Sequence, residues 1–291
     1  MARPSTPPPV IELDRVTFRY PQAETPILTE ISLRVEPGEF LGIVGPTGSG
    51  KTTLLYLMAG IIPHYYRGQI EGRISIDGQP TATLSLARPT DRVGVVLQDP
   101  EAQLFNPLVR DELAWGLENR GRSRESIARE IAATLAFFHI EHLRDRITYD
   151  LSGGEKQRVA LAAVHALAPQ VFLFDNPTSQ LDPLGAADVL ESIRQVADTH
   201  GFSIVLVEDK VDELVRVADR MVLLDRGRIT LDAAPRDFCL SSGPLASAGV
   251  RSTQIAELSA ELLGAGVPFA DPVPITVEEA VPALRQLLTR A

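Results

Sequence analysis

The stretch Gly45–Thr53, GPTGSGKTT, directly follows the apolar run Phe40–Val44 and constrains this chain more than any other segment. The spacing G-x-x-x-x-G-K-T behind a strand is what a phosphate-cradling loop requires. Glycine lets the backbone curl closely enough for consecutive N–H groups to face phosphate oxygens. Gly45, Pro46, Thr47, Gly48, Ser49, Gly50, Lys51, Thr52 and Thr53 would form the cradle and the first turn of its helix. The Lys51 ammonium can reach the outer phosphates, and the Thr52 hydroxyl can hold Mg²⁺. The helix opening at Lys51 adds its positive end. A glycine-rich turn that binds nothing is the plain alternative, and the complete spacing argues against it. The expected ligand is a nucleoside triphosphate.

The length of 291 residues allows one large or two modest domains with ample core. No uninterrupted apolar run approaches a membrane span, and the start MARPSTPPPV has no signal-peptide core. The single cysteine, Cys239, forms no internal disulfide framework and fits a reducing interior. A net charge of −10 argues against nucleic acid as the main partner. These features predict a soluble, cytoplasmic chain whose membrane role would run through a partner.

Patterning predicts an α/β chain. Residues 1–9 read as an unstructured Pro-rich lead-in. Alternation over Val10–Asp77 predicts a β-rich start, interrupted by the helix Lys51–Ala59, with strands resuming at Gly72–Asp77 and Arg92–Leu97. Asp111–His142 has helical periodicity with a break at Asn119–Ser123. A helix after Ser152 precedes the buried strand Val171–Phe174. Next come the helix Leu184–His200, the strand Ser203–Val207, the helix Val211–Ala218 and a hairpin over Met221–Leu231. This alternation predicts a largely parallel, covered sheet. Helical stretches Thr253–Leu263 and Thr276–Thr289 suggest a C-terminal extension over 235–291 that serves association rather than chemistry.

Two further motifs stand out. In LSGGEKQRVALA, Leu151–Ala162, Ser152 is placed as an N-cap, and Gly153 and Gly154 leave N–H groups free at a helix start. In VFLFDNPTSQLDP, Val171–Pro183, an apolar strand delivers the Asp175 carboxylate towards Mg²⁺. The order of cradle, LSGGEKQ and apolar strand with aspartate resembles the ATP-binding cassette family over about residues 10–232.

The resemblance implies a P-loop NTPase fold of cassette type: an ATPase domain over 10–234, a helical subdomain over about 100–165, and the small C-terminal extension. It implies ATP and Mg²⁺, and a head-to-tail dimer in which each ATP lies between one chain's P-loop and the other chain's Leu151, Ser152, Gly153, Gly154 and Glu155. On that pattern Tyr20 stacks on adenine, and Gln98 contacts Mg²⁺ alongside Thr52 and Asp175. Ser179, Leu181 and Asp182 belong to the loop linking the two sites. A narrower likeness is to the ATPases of energy-coupling factor transporters, prokaryotic importers of vitamins and transition metals. It rests on VGVVLQDPEAQLF, VRDELAWGLENRG, IIPHYYRGQIEGRISIDG, VEDKVDELVRVADRMVLLDRGRI and PVPITVEEAVPALRQLL. It implies peripheral attachment to the cytoplasmic membrane face, a second ATPase, a transmembrane scaffold and a substrate-binding membrane subunit. Trp115 reads as a packing residue of the helical subdomain, although that subdomain is where the family docks its membrane partner.

The chain departs from the pattern at two positions. Where the family has a glutamate that polarises the attacking water, this chain has Asn176; an amide can orient water but is a poor general base. Where a histidine contacts the γ-phosphate, it has Asp209, beside Glu208. A carboxylate there would repel the phosphate unless protonated or metal-bound. Harmless drift is one reading. The sharper one is a heterodimer in which this P-loop turns ATP over weakly while Ser152–Glu155 completes the partner's active site; a homodimer remains possible. Competing functions are a regulatory ATP-binding module and a soluble cassette protein of DNA repair or translation. The latter usually carries coiled-coil insertions or paired cassettes, which are absent here. The histidines show no metal-ligand spacing.

Overall fold

A computed structural model of the chain describes residues 8–83, 92–179, 181–267 and 272–290. Most of the Pro-rich lead-in and Gln180 lie outside the described residues. Two sheets organise the fold. The first, antiparallel, contains β1 (Ile11–Arg19), β2 (Leu28–Val35), β4 (Gln69–Ile76) and β5 (Gln79–Pro80) in the order β2-β1-β4-β5. The second contains β3 (Phe40–Val44), β6 (Val93–Val96), β7 (Val171–Asp175), β8 (Ser203–Val207), β9 (Arg220–Asp225) and β10 (Arg228–Ala233). Its order is β10-β9-β3-β8-β7-β6, with every neighbouring pair parallel except β9–β10. Strands β3, β7 and β8 are buried throughout, as a sheet covered on both faces requires.

The longer helices are α1 (Lys51–Met58), α2 (Val109–Asn119), α3 (Arg124–Phe137), α4 (Gly153–His165), α5 (Pro183–His200), α6 (Gln254–Gly264) and α7 (Val277–Arg290). The central sheet separates two cores. Leu41, Ile43, Leu173, Val205 and Val207 pack with α1 and the antiparallel sheet. Phe40, Val44, Phe172, Phe174 and Leu206 pack with α2 to α5. The side-chain period of two along each strand produces this division.

Three boundaries differ from the sequence reading. Strand β4 starts at Gln69 rather than Gly72, because Gly72 is not a strand start but the partner of a bulge. Its φ is +87°, and an added Cβ would lie 2.4 Å from the Arg15 carbonyl oxygen, where the β1–β4 register shifts. The helix at Val211 stops at Leu214, since the N–H groups of Val217 and Ala218 both return to the Leu214 carbonyl and turn the chain into β9. The extension begins with two short helices, Pro235–Leu240 and Ser242–Ser247, that the periodicity did not reveal. Phe238, Cys239, Leu245 and Ala256 from the extension are buried in the same core as Leu223 and Leu214.

Candidate nucleotide-binding site

Strand β3 ends at Val44, and Gly45–Gly50 wraps into α1. Gly48 and Gly50 have φ of +82° and +106°, and a Cβ on Gly45 would lie 2.1 Å from the Leu224 carbonyl oxygen. The loop therefore requires glycine at these points. The Gly227 N–H donates to the Ser49 carbonyl and ties the loop to the β9–β10 turn (3.1 Å). The buried Ser49 hydroxyl has no hydrogen-bond partner among the described residues. Tyr20 is held beside α1, its hydroxyl 3.2 Å from Thr53 Oγ1 and its ring edge-to-face with Phe18.

Three adjacent strands deliver the other groups at their carboxyl ends, where open α/β sheets bind ligands. Strand β7 ends on Asp175 and is followed by Asn176, beyond β8 come Glu208 and Asp209, and beyond β6 comes Gln98. Burial pushes the Asp175 carboxyl above its ordinary range; a hydrogen bond with the Thr52 hydroxyl and the nearby Lys51 charge oppose this, while Asp209 adds to it. Oxygen donors from Thr52 and a buried carboxylate are what Mg²⁺ takes. Gln98 is exposed, and among the described residues no hydrogen bond joins it to Thr52 or Asp175.

Asn176 sits at φ +46°, a region asparagine tolerates better than most residues. Its N–H donates to the Val207 carbonyl at 2.9 Å, while its buried Oδ1 accepts no hydrogen bond from the described residues. An orphaned amide oxygen beside Asp175 can accept a hydrogen bond from water but cannot take up its proton at neutral pH. Lys51 is 7% exposed, and its ammonium reaches Gly45 O (2.7 Å), Pro46 O (3.2 Å) and Asp209 Oδ1 (3.0 Å). Asp209 thus lies on the P-loop lysine itself.

A cluster missed by the sequence reading lies behind Asp209. The Thr178 hydroxyl contacts Oε1 of Glu208 at short range and Oε2 of Glu213 at 2.5 Å; the Thr178 N–H donates to Glu208 Oε1 at 3.2 Å. One hydroxyl proton is thus shared between two acidic side chains. Burial pushes the Glu208 carboxyl up to about 7, with Glu213 adding to it. The signal was present: Glu208 ends the apolar run Ser203–Val207, as Asp175 ends its own strand.

Leu151–Glu155 opens α4 through a capping box. The Ser152 hydroxyl accepts from Glu155 N, and Glu155 Oε2 accepts from Ser152 N at 2.8 Å. These bonds hold the Glu155 carboxyl below its ordinary range. The Gly153 and Gly154 N–H groups stand in the first turn, where no intrahelical partner is available, and a Cβ added at either glycine would meet nothing within 4 Å. No hydrogen bond or ion pair among the described residues joins this segment to the P-loop. In the loop between, Ser179 N donates to Asn176 O, Leu181 N donates to Thr178 O, and Asp182 caps α5 through Gly185 N at 2.8 Å.

The helical subdomain exposes a second set of groups. Phe105 and Trp115 meet edge-to-face at 4.6 Å and are both about half exposed. The buried Glu112 carboxylate accepts the N–H groups of Phe105 and Asn106 and fixes the loop that presents Phe105. Among the described residues no helix is long and apolar enough to cross a membrane.

Comparison with known proteins agrees with this geometry. Residues 28–179 match the family described as ABC transporter. A Pyrococcus abyssi protein provisionally named an ABC transporter ATP-binding protein is 40% identical over 258 residues, covering 89% of this chain and 92% of that one. A Methanosarcina mazei protein with the same provisional name is 34% identical; the alignment spans 99% of this chain but 50% of that protein. Among solved structures, CbiO1 of Clostridium perfringens, part of the ABC transporter complex CbiONQ, superimposes with a TM-score of 0.75. It is 27% identical, with 86% of this chain and 98% of that chain covered. With P-loop, Asp175 strand and capped LSGGE helix in this arrangement, the chain belongs to the ABC transporter family, as an ATP-binding ATPase subunit.

Proposed function

We propose that this chain is the weak-site half of a heterodimeric ATPase driving an importer of the energy-coupling factor type. The observation that carries the asymmetry is the pairing of Asn176 and Asp209 around an otherwise complete P-loop. Of the groups that would meet the terminal phosphate, one is an amide with an orphaned oxygen and the other is a carboxylate seated on Lys51. The capped α4 terminus keeps its free Gly153 and Gly154 donors and would complete the partner's site. Thr52 and Asp175 would hold Mg²⁺, which would neutralise phosphate charge, and Tyr20 would stack on adenine.

The likeness to CbiO1 supports the importer assignment, with the chain bound peripherally at the cytoplasmic membrane face. A transmembrane scaffold would dock on the Phe105–Trp115 surface, and a substrate-binding membrane subunit would choose the vitamin, precursor or metal ion. The 235–291 extension would assist pairing of the ATPases.

The test is ATP turnover of the reconstituted complex. Ser152→Ala is expected to reduce it by more than Lys51→Ala does. Asn176→Glu with Asp209→His is expected to raise turnover at this P-loop by at least about a hundredfold, the lower end of what a positioned general base contributes. No gain from the double variant, in protein whose folding is unchanged, counts against the weak-site reading. Brisk turnover by the lone chain that depends on Lys51 would favour a homodimer. Negligible turnover by the full complex would favour a regulatory module.

A further inference from the structure

We infer that the Asp209 carboxylate occupies the terminal-phosphate position of this P-loop, so that the site takes a nucleoside diphosphate in preference to a triphosphate. The inference rests on the reading that this P-loop holds a nucleotide, and assigns which one.

Lys51 ends in an ammonium whose donors are all engaged. An ammonium has three N–H donors. Here the Gly45 carbonyl, the Pro46 carbonyl and Asp209 Oδ1 lie within 3.2 Å of Nζ, one oxygen for each donor. In a phosphate cradle of this spacing the lysine serves the outer phosphates. The chain's own anion therefore stands where the outermost phosphate would draw on that charge.

The carboxylate is placed by its neighbours. Asp209 N donates to Glu208 Oε2 at 3.3 Å, Glu208 N donates to Ile43 O at 3.1 Å, and the Glu208 carboxylate is bound to Thr178. Glu208 is 2% exposed, so this anchor lies in the protein interior. The Asp209 side chain itself is half exposed and held on Lys51. The inner part of the cradle is unaffected: Gly48 and Gly50 keep their left-handed turns, and the Ser49 hydroxyl has no hydrogen-bond partner among the described residues. A diphosphate can use that inner cradle, with Lys51 exchanging one carbonyl partner for the terminal phosphate while it keeps Asp209. A triphosphate must displace Asp209 or place its γ-phosphate against it, and like charges at contact are strongly unfavourable at the low effective dielectric of a cleft.

The Asp209 position is not a dead residue on this account. It turns the pocket into a site that is filled after hydrolysis elsewhere and resists refilling with triphosphate.

The experiment is calorimetric binding of ADP and of the non-hydrolysable β,γ-imido analogue of ATP to the full chain, with and without Mg²⁺. Wild type, Asp209→Asn, Asp209→His and Lys51→Ala are compared, with melting temperatures to verify folding. ADP is expected to bind at least about tenfold more tightly than the analogue to wild type. Asp209→Asn should close that gap to within about threefold, by strengthening analogue binding while ADP binding stays nearly constant. Equal or tighter analogue binding by wild type, unchanged in Asp209→Asn, overturns the inference and leaves the nucleotide site standing. Analogue binding that is tighter than ADP only with Mg²⁺, and lost in Asp209→Asn, would also overturn it by making Asp209 a cation ligand. No binding of either nucleotide, in folded protein, removes the underlying reading as well.

Discussion

Glu208 is the residue whose titration the fold has altered most visibly. Its carboxyl, buried against Thr178, Glu213 and the Asp209 amide, is pushed from 4.5 up to about 7. The folded chain therefore binds this proton more tightly than the unfolded chain between those two values. Stability falls as pH rises through that window, by on the order of 3 kcal/mol if no other group compensates. Lys210, paired with Glu213 at 2.8 Å, is the nearby cation that softens the effect. Glu208→Gln should flatten this part of the stability profile and leave the variant the more stable protein above pH 7. Urea unfolding at pH 5 and pH 8 measures it, and an identical pH slope in both proteins would refute the assignment. At this scale the sequence was legible where chemistry is local: the P-loop spacing, the Asp175 strand and the Ser152 cap are each read within a dozen positions. Contacts of Thr178 with Glu208, and of Lys51 with Asp209, were not legible. They join distant positions through the β7–β8 and β3–β8 registers.

Elements are held in place by close approaches that tolerate little added volume. Gly94 in β6 is an example: a Cβ there would lie 2.3 Å from Val164 Cγ1 on α4 and 3.0 Å from Pro169 Cγ. The missing side chain lets the α4 helix, whose first turn carries Ser152, rest directly on the strand that leads to Gln98. Gly94→Ala is expected to cost about 1–3 kcal/mol by overpacking. Adding Val164→Ala should return part of it, a coupling that a double-mutant cycle on thermal or urea unfolding reads directly. Additive losses would mean that the strain lies elsewhere. Element type followed from periodicity almost throughout, including the break between α2 and α3. Boundaries failed where a glycine had a packing reason, as at Gly72, or where a helix was cut to a single turn, as at Val211–Leu214.

The whole molecule is less divisible than its composition suggests. The texture change at Pro235 reads as a boundary, yet Phe238 is fully buried in the core shared with β9 and the Val211–Leu214 turn. Gly249–Ser252 also line the same cleft as Gly45–Thr47 and Asp209. PRDFCL is too short for periodicity to announce either fact. Cys239, the sole thiol, reports on this joint: burial leaves it 2% exposed and pushes its pKa up to about 11. Alkylation by iodoacetamide at neutral pH should therefore proceed only through opening of the extension. Phe238→Ala, a loss of about 3–5 kcal/mol, should speed it by at least about a hundredfold. Labelling that is fast in the wild-type protein would show the joint to be loose.

Strand β3 lends itself to a mechanical description. Phe40 and Val44 grip the helical half of the molecule, Leu41 and Ile43 grip the sheet half, and the phosphate cradle hangs from the strand's end. A strand clamped from both sides behaves like the fixed arm of a balance. Any tilt of one half against the other is transmitted to the loop as torque about this short axis rather than absorbed by it. With a scaffold docked at the Phe105–Trp115 surface as proposed, a push there would have this strand as its route to the phosphate cradle, and a nucleotide in the cradle would have the same route back.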